Sequence, residues 1–412
     1  MKNARLSAFD MLYDIIYGGA YSNIVLEKGL KAVESKDKGF VSRLVYGIIE
    51  RRLSLDYAIN KFLNGKTKPK VKILLYIGAY QVLYMDKIPD AVAVYETVSL
   101  CDNIGLSYYK KLINAVLHRI IDYKTEFDVI DDLSIKYSCP QHLINMWTKM
   151  YGEDNVLDIL ESINNRPPVF AIPNSKYVDA EELYYELFSA GIDCEIFNDV
   201  VKINSSFDLS GLKAFNDGLF YIEDYSSYSC AKVLEAEPDD VVLDLCSAPG
   251  GKAFTIAQSG ATVYAYDIYE HRVELIKRSA QRLGLNNIIT GINDALIYNA
   301  NLPFADRIIC DVPCSGFGII RRKPEIRYKN LDYIKELPQI QYNILFTSSR
   351  YLKSGGVIIY STCTLNKKEN EQVVDRFLND NTDFSLVESK TVFPTKNGGD
   401  GFFYSILKKR ND

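Results

Sequence analysis

The sequence predicts a multidomain protein of mixed class: an all-α domain over 1–130, a helical linker with a small α+β module over 131–230, and an α/β domain over 231–412. Three observations predict it. Apolar residues recur at spacings of three and four from Ala4 to about Tyr123, short alternating runs surround one helical pattern after Pro167-Pro168, and from Pro238 onward short apolar strands alternate with helices.

The first pattern is carried by ARLSAFDMLYDIIY and FVSRLVYGIIERRLSLDYAINKFL, with breaks at Gly18-Gly19, Lys36-Asp37 and Lys87-Ile88-Pro89. Helical spacing continues from Ile135 to Arg166 and stops at the two prolines, because the residue before a proline is pushed out of the α region. The runs PVFAIPN and CEIFNDVVKIN, with the helical DAEELYYELFSAG between them, make the small module. The last domain reads strand, turn, helix: VVLDLC (241–246), TVYAYD (262–267), NIITGIN (287–293), DRIICDV (306–312) and GVIIYSTC (356–363), with helices over 270–284 and 337–353. Such strands form a parallel sheet covered on both faces, which binds ligands beyond its strand carboxyl ends. Asp244, Asp267, Asp294, Asp311, Cys314 and Cys363 all fall there.

Composition excludes several classes. The 412 residues are 47 % hydrophobic and 25 % charged, as in soluble globular proteins. The most apolar stretch, 71–85, is broken by Gly78 and Gln81, and no apolar leader opens the chain, so a cytoplasmic protein without a membrane span is expected. Eight cysteines without a C-x-x-C pair, and three histidines, fit neither a disulfide framework nor a zinc site. No metal is expected, and the thiols should be free. The net charge is −5, yet residues 1–130 hold 19 Lys and Arg against 14 Asp and Glu. A polyanionic partner would therefore meet local patches: Lys66, Lys68, Lys70 and Lys72, or Arg321, Arg322 and Lys323. Runs of this kind also serve simply as solvated surface.

Two thiols stand out. Cys314 in Asp-Val-Pro-Cys and Cys363 in Ser-Thr-Cys each follow a strand of the same sheet. Covalent catalysis must both make and break a bond, so two thiols at one sheet edge suit attack and release. Cys101, Cys139, Cys194, Cys230 and Cys310 read instead as small apolar core residues. The turn Cys246-Ser247-Ala248-Pro249-Gly250-Gly251-Lys252 lets backbone close on a ligand. It matches neither the dinucleotide nor the Walker pattern, which argues against a dehydrogenase or an NTPase. Asp267, at a strand end, can accept hydrogen bonds from both ribose hydroxyls of a nucleoside cofactor. Asp294 can take an exocyclic amine or cap its own loop, and Asp311 can either serve chemistry or cap a strand end.

Asp244-Leu-Cys-Ser-Ala-Pro-Gly-Gly-Lys252, Asp311-Val-Pro-Cys-Ser-Gly-Phe-Gly318 with Arg321-Arg322-Lys323-Pro324, and Tyr360-Ser-Thr-Cys-Thr-Leu-Asn366 with Glu369-Asn370-Glu371 resemble the Sun/Fmu-type RNA cytosine-C5 methyltransferases. The resemblance runs from about Tyr221 to the last residue. The helical first domain is similar to the NusB-like RNA-binding domain of the bacterial branch that acts on small-subunit (16S) ribosomal RNA. The resemblance implies a class I, Rossmann-like domain using S-adenosylmethionine, lined by Cys246 to Lys252, Asp267, Asp294 and Asp311. It implies Cys363 as nucleophile, Cys314 as the thiol of product release, and Asp311 as a hydrogen-bonding partner of the base. Arg321, Arg322 and Lys323 would hold phosphates, and a monomer would suffice. A Pro-Cys dipeptide carries the nucleophile in DNA cytosine-C5 enzymes, which leaves Cys314 as the competing choice. Transfer RNA or another RNA as substrate, or a non-catalytic RNA-binding assembly factor, are the alternatives.

Overall fold

The computed structural model describes residues 3–63, 65–205, 208–329 and 332–411. The chain divides into two compact units, one of residues 1–164 and 320–329, the other of 165–319 and 330–412. The crossing at 164 lies just before Pro167-Pro168. The linker helices thus join the first unit and the small module joins the second, where the sequence suggested a separate middle domain.

The first unit is all helical. Its centre is the helix Pro69–Tyr84, the most apolar stretch, buried along nearly its whole length. Gly78 is there because Leu117 packs so closely that a Cβ would lie 2.4 Å from its Cδ1. Buried Gln81 donates to the Ile77 carbonyl (2.8 Å) and accepts from Arg5 Nε (2.8 Å), so a polar side chain is tolerated without water. Among the described residues no helix is long and apolar enough to cross a membrane.

Residues 320–329 are held in this unit by Arg327, 1 % exposed. Its guanidinium donates to the carbonyls of Glu50 (3.1 Å), Ser138 (3.1 Å) and Ile163 (3.2 Å). These carbonyls sit at or just past the ends of the helices Ser35–Glu50, Leu133–Tyr137 and Glu153–Ser162, where acceptors are unpaired and the helix dipole is negative. Buried arginine is normally expensive, and three helix ends offset that cost here.

In the second unit the small module is an antiparallel sheet of β1 (Val169–Pro173), β2 (Cys194–Phe197), β3 (Val200–Ile203) and β4 (Phe220–Glu223), in the order β2-β3-β1-β4. The large sheet contains β5 (Val241–Asp244), β6 (Thr262–Asp267), β7 (Ile288–Ile292), β8 (Ala305–Asp311), β9 (Leu352–Thr362), β10 (Phe384–Val392) and β11 (Phe402–Lys409), in the order β10-β11-β9-β8-β5-β6-β7. The first five are mutually parallel, as expected. The other two are antiparallel additions that the expected parallel sheet lacked. β10 is an edge strand with most side chains exposed, so its sequence carries no buried run. The helix expected over 337–353 ends at Ser349, and Leu352 already begins β9.

Strand order reverses between β5 and β8, the place where open α/β sheets bind ligands. The β8–β9 register sets Asp311 beside Ser361. The loops that follow, bearing Cys314 and Cys363, must therefore run side by side.

Candidate active site

The glycine turn leaves β5 with Ser247 N donating to the Tyr266 carbonyl of β6 (2.9 Å) and Gly250 N to Ser247 O (2.8 Å). Gly250 has φ +108°, and a Cβ there would meet the Phe254 ring at 2.5 Å. Only glycine fits. A Cβ on Gly251 would strike the Glu223 carboxyl at 2.6 Å. The turn and β6 are joined by Arg272, which donates to Ala248 O (2.7 Å) and pairs with Asp267 (3.1 Å). Asp267, 2 % exposed, also accepts from Tyr269 N (3.2 Å). Asp294 accepts from Leu296 N (2.9 Å), the local turn that sequence allowed as its alternative role.

Among the described residues, three buried polar atoms along this edge have no hydrogen-bond partner: Asp244 Oδ2, Ser247 Oγ and Asn293 Nδ2. Orphaned buried groups are rare and call for a ligand. Burial pushes the Asp244 carboxyl up to about 7, and desolvation raises the Cys246 thiol well above its usual value. An acceptor, a donor and the buried Asp267 beside a glycine turn suit the adenosine and amino-acid parts of S-adenosylmethionine. Pro249, which follows a cis peptide, and Ala248 complete the turn.

Lys252 does something else. Its ammonium, buried at 8 % exposure, pairs with Asp311 Oδ2 at 2.8 Å, and Phe402 lies beneath it at 5.1 Å. The neighbouring acids outweigh its burial and hold its pKa above the ordinary lysine value. Nearby Glu223 is pushed up to about 7 by desolvation. Asp311 Oδ1 accepts from Ser361 Oγ (3.0 Å), so both its oxygens are fixed.

The two thiols meet. Cys314 Sγ and Cys363 Sγ lie 3.2 Å apart, and neither residue is fully buried. The hydrogen bond with Cys363 and the loss of solvation push Cys314 well above the usual thiol value. The loops are stitched by Gly318, whose N–H donates to Cys363 O (3.0 Å) and whose missing Cβ makes room for Gly401 O. The other five cysteines expected in the core are buried, with Cys139, Cys230 and Cys310 raised to about 12 by desolvation.

Arg321, Arg322 and Lys323 belong to the helical unit. Arg321 is 3 % exposed, so it cannot be the phosphate contact the sequence suggested; Arg322 and Lys323 are half-buried. In the basic run of that unit Lys66, Lys68 and Lys70 are exposed, while Lys72 pairs with Asp56 at 2.7 Å. Among the described residues no group of His, Cys, Asp and Glu could hold a metal ion.

Sequence reasoning named no role for Arg272, Asn293, Ser315, Thr364, Glu369 or Asn370. Asn370 accepts from Thr362 Oγ1 (2.6 Å) and donates to Thr364 O (2.9 Å), gripping Cys363 from both sides. For Glu369 and Asn370 the signal was their place in the motif after Ser-Thr-Cys; Arg272 and Asn293 had none.

A family model described as 16S rRNA methyltransferase RsmB/F matches residues 231–408, and the NusB family model matches residues 2–122. The chain is 34 % identical over 446 residues to the probable ribosomal RNA small subunit methyltransferase B of Bacillus subtilis strain 168, with 99 % of each covered. It is 31 % identical over 426 residues to ribosomal RNA small subunit methyltransferase B of Proteus mirabilis strain HI4320, again with 99 % of each covered. Among solved structures, PH0851 superposes with a TM-score of 0.83 over 99 % of both chains at 23 % identity. NSun6 from Pyrococcus horikoshii gives 0.60 over 66 % of this chain and 99 % of that one, at 22 % identity. These two likenesses speak for the fold, and the two sequence relatives for the family: the chain belongs to the ribosomal RNA small subunit methyltransferase B family.

Proposed function

We propose that the protein methylates C5 of a specific cytosine in small-subunit (16S) ribosomal RNA through a covalent adduct between Cys363 and C6 of the base. The observation that carries this reading is the pair of thiols 3.2 Å apart beyond two adjacent parallel strands, with Asp311 held beside them by Lys252. The protein is an S-adenosylmethionine-dependent RNA methyltransferase by family.

C5 of cytosine is a poor nucleophile until a thiolate adds at C6 and makes C5 carbanion-like. Cys363 Sγ forms that bond. The proton given up by the Cys363 thiol ends on N3 of the ring, and Asp311 accepts hydrogen bonds from that N3–H and from the exocyclic amine, stabilising the adduct. Lys252 and Ser361 keep its carboxylate in place. When bound, S-adenosylmethionine supplies a methyl group on a cationic sulfur that a carbon nucleophile can take. Release requires that C5 lose its proton and that the C6–S bond return its electron pair to Cys363. The C5 proton passes to solvent at this partly exposed edge, and the Cys314 thiol, 3.2 Å from Cys363, hydrogen-bonds the sulfur that departs as a thiolate.

Cys246, Ser247, Ala248, Pro249, Gly250 and Gly251, together with Asp267 and Asp294, form the cofactor side. The orphaned Asp244 and Asn293 add to it. Lys252 and Asp311 stand between cofactor and base. Arg322, Lys323 and the exposed lysines of the helical unit are the phosphate contacts. One chain supplies every residue named, so a monomer suffices, and a ribosomal RNA substrate would be met in the cytoplasm.

Bisulfite sequencing after incubation of purified protein and S-adenosylmethionine with 16S ribosomal RNA, and separately with transfer RNA, tests the reading. One protected cytosine in the 16S strand is expected. Protection confined to transfer RNA would replace the substrate, and none in either would leave a non-catalytic RNA-binding factor.

A further inference from the structure

Behind the two thiols lies a buried carboxylate that the reaction described so far does not use. Glu369 is 0 % exposed. Its Oε1 accepts from Ser315 Oγ (2.6 Å) and Asn366 Nδ2 (2.7 Å), and its Oε2 from Ser315 N (2.8 Å) and Gln341 Nε2 (3.0 Å). All four donors are neutral. Ser315 follows Cys314 in the chain and Thr364 follows Cys363, and their hydroxyls lie 2.6 Å apart. Since Ser315 spends its proton on Glu369, Thr364 must donate to Ser315. Thr364 in turn accepts from Phe317 N (3.2 Å). A directed chain therefore runs from the Cys363 loop through the Cys314 loop and ends on the carboxyl group of Glu369.

We propose that Glu369 is a positioning residue of the methyl transfer, fixing the separation and orientation of Cys314 and Cys363 by anchoring the Thr364–Ser315 hydrogen-bond chain; this rests on the covalent reading above. A buried carboxylate with no ion pair costs stability, and a hydrophobic side chain would fill the same space more cheaply. Acceptance by both oxygens holds two separate loops, whose thiols are 49 residues apart in sequence, in one geometry. Its negative charge also helps keep Cys314 protonated.

The test uses full-length protein and 16S ribosomal RNA transcribed with 5-fluorocytidine. A C5 fluorine cannot leave as a cation, so the adduct persists and its rate of formation can be read by denaturing electrophoresis. Glu369→Gln preserves shape but replaces one acceptor by a donor. Its adduct formation and kcat should fall together by about 100-fold, the scale of a 1 Å misplacement, while S-adenosylmethionine affinity and KM for RNA stay within about twofold. Glu369→Asp should recover part of the rate. Wild-type rates in Glu369→Gln would overturn the proposal. Should that variant not fold, Thr364→Val, which leaves all four donors to Glu369 intact, decides: about tenfold slower adduct formation supports the chain, and an unchanged rate overturns it. Absence of any adduct with the wild-type protein would overturn the covalent reading instead, and this proposal with it.

Discussion

The two halves of the large sheet's carboxyl edge are built to different degrees of completion. Around the thiols, beyond β8 and β9, Ser315, Thr364, Glu369 and Asn370 have their side-chain hydrogen bonds made within the protein. Beyond β5 and β7, Asp244 Oδ2 and Asn293 Nδ2 are buried and unpaired. A network in which four side chains tie two loops together is rigid, even with Gln341 Oε1 left unpartnered at its edge, and this suits sulfur atoms that must meet one carbon of a base. An edge with spare donors and acceptors stores binding capacity for a polar cofactor.

Substitutions that cross this divide should therefore fail differently. Asp311→Asn, on the rigid side, should lower kcat by about 100-fold in a methyl-transfer assay, with S-adenosylmethionine affinity nearly unchanged. Weakened cofactor binding of similar size would move Asp311 to the other half. Asp267→Ala should weaken S-adenosylmethionine binding by about 1.5 to 3 kcal/mol in calorimetry, because ribose hydroxyls lose a charged acceptor. Unchanged affinity would take Asp267 out of the pocket.

Asp244 sharpens the comparison through pH. Its carboxyl is raised to about 7 by burial, so the folded protein binds a proton that the unfolded chain releases near pH 4. The sign follows: this group costs nothing below the unfolded value, and stability declines as pH rises from about 4 to about 7. Asp244→Asn should flatten that decline in thermal melts of cofactor-free protein at pH 5 and pH 8. An unaltered pH profile would show that Asp244 is not the destabilised group. The smallest effect belongs to the other unit. Replacing Lys66, Lys68 and Lys70 with Glu should weaken RNA binding and reduce its salt slope by about one for each lysine on a phosphate. Excising residues 1–130 would not serve, since those residues and 131–164 belong to one compact unit.

Legibility followed the same line. The glycine turn, the two cysteines and the strand-end aspartates could be read because each announces itself within a few residues, as did five of the seven sheet strands. What escaped depends on distant pairing. Glu369 acquires its meaning only from Ser315 and Gln341, and Lys252 turns to Asp311 rather than to the turn it ends. Arg321 looked like surface in a basic run, but apolar Ile320 and Ile326, both buried, and Arg327 fold that segment into the helical unit. β10 escaped because an exposed edge strand leaves no apolar signature.

The central claim, that Cys363 attacks and Cys314 releases, has one direct test. Cys314→Ala and Cys363→Ala are each incubated with 16S ribosomal RNA and S-adenosylmethionine and run on denaturing gels. Both should lose turnover, but only Cys314→Ala should retain a protein–RNA adduct, since addition to C6 proceeds while release stalls. An adduct trapped by Cys363→Ala and absent with Cys314→Ala would make Cys314 the nucleophile and contradict the account.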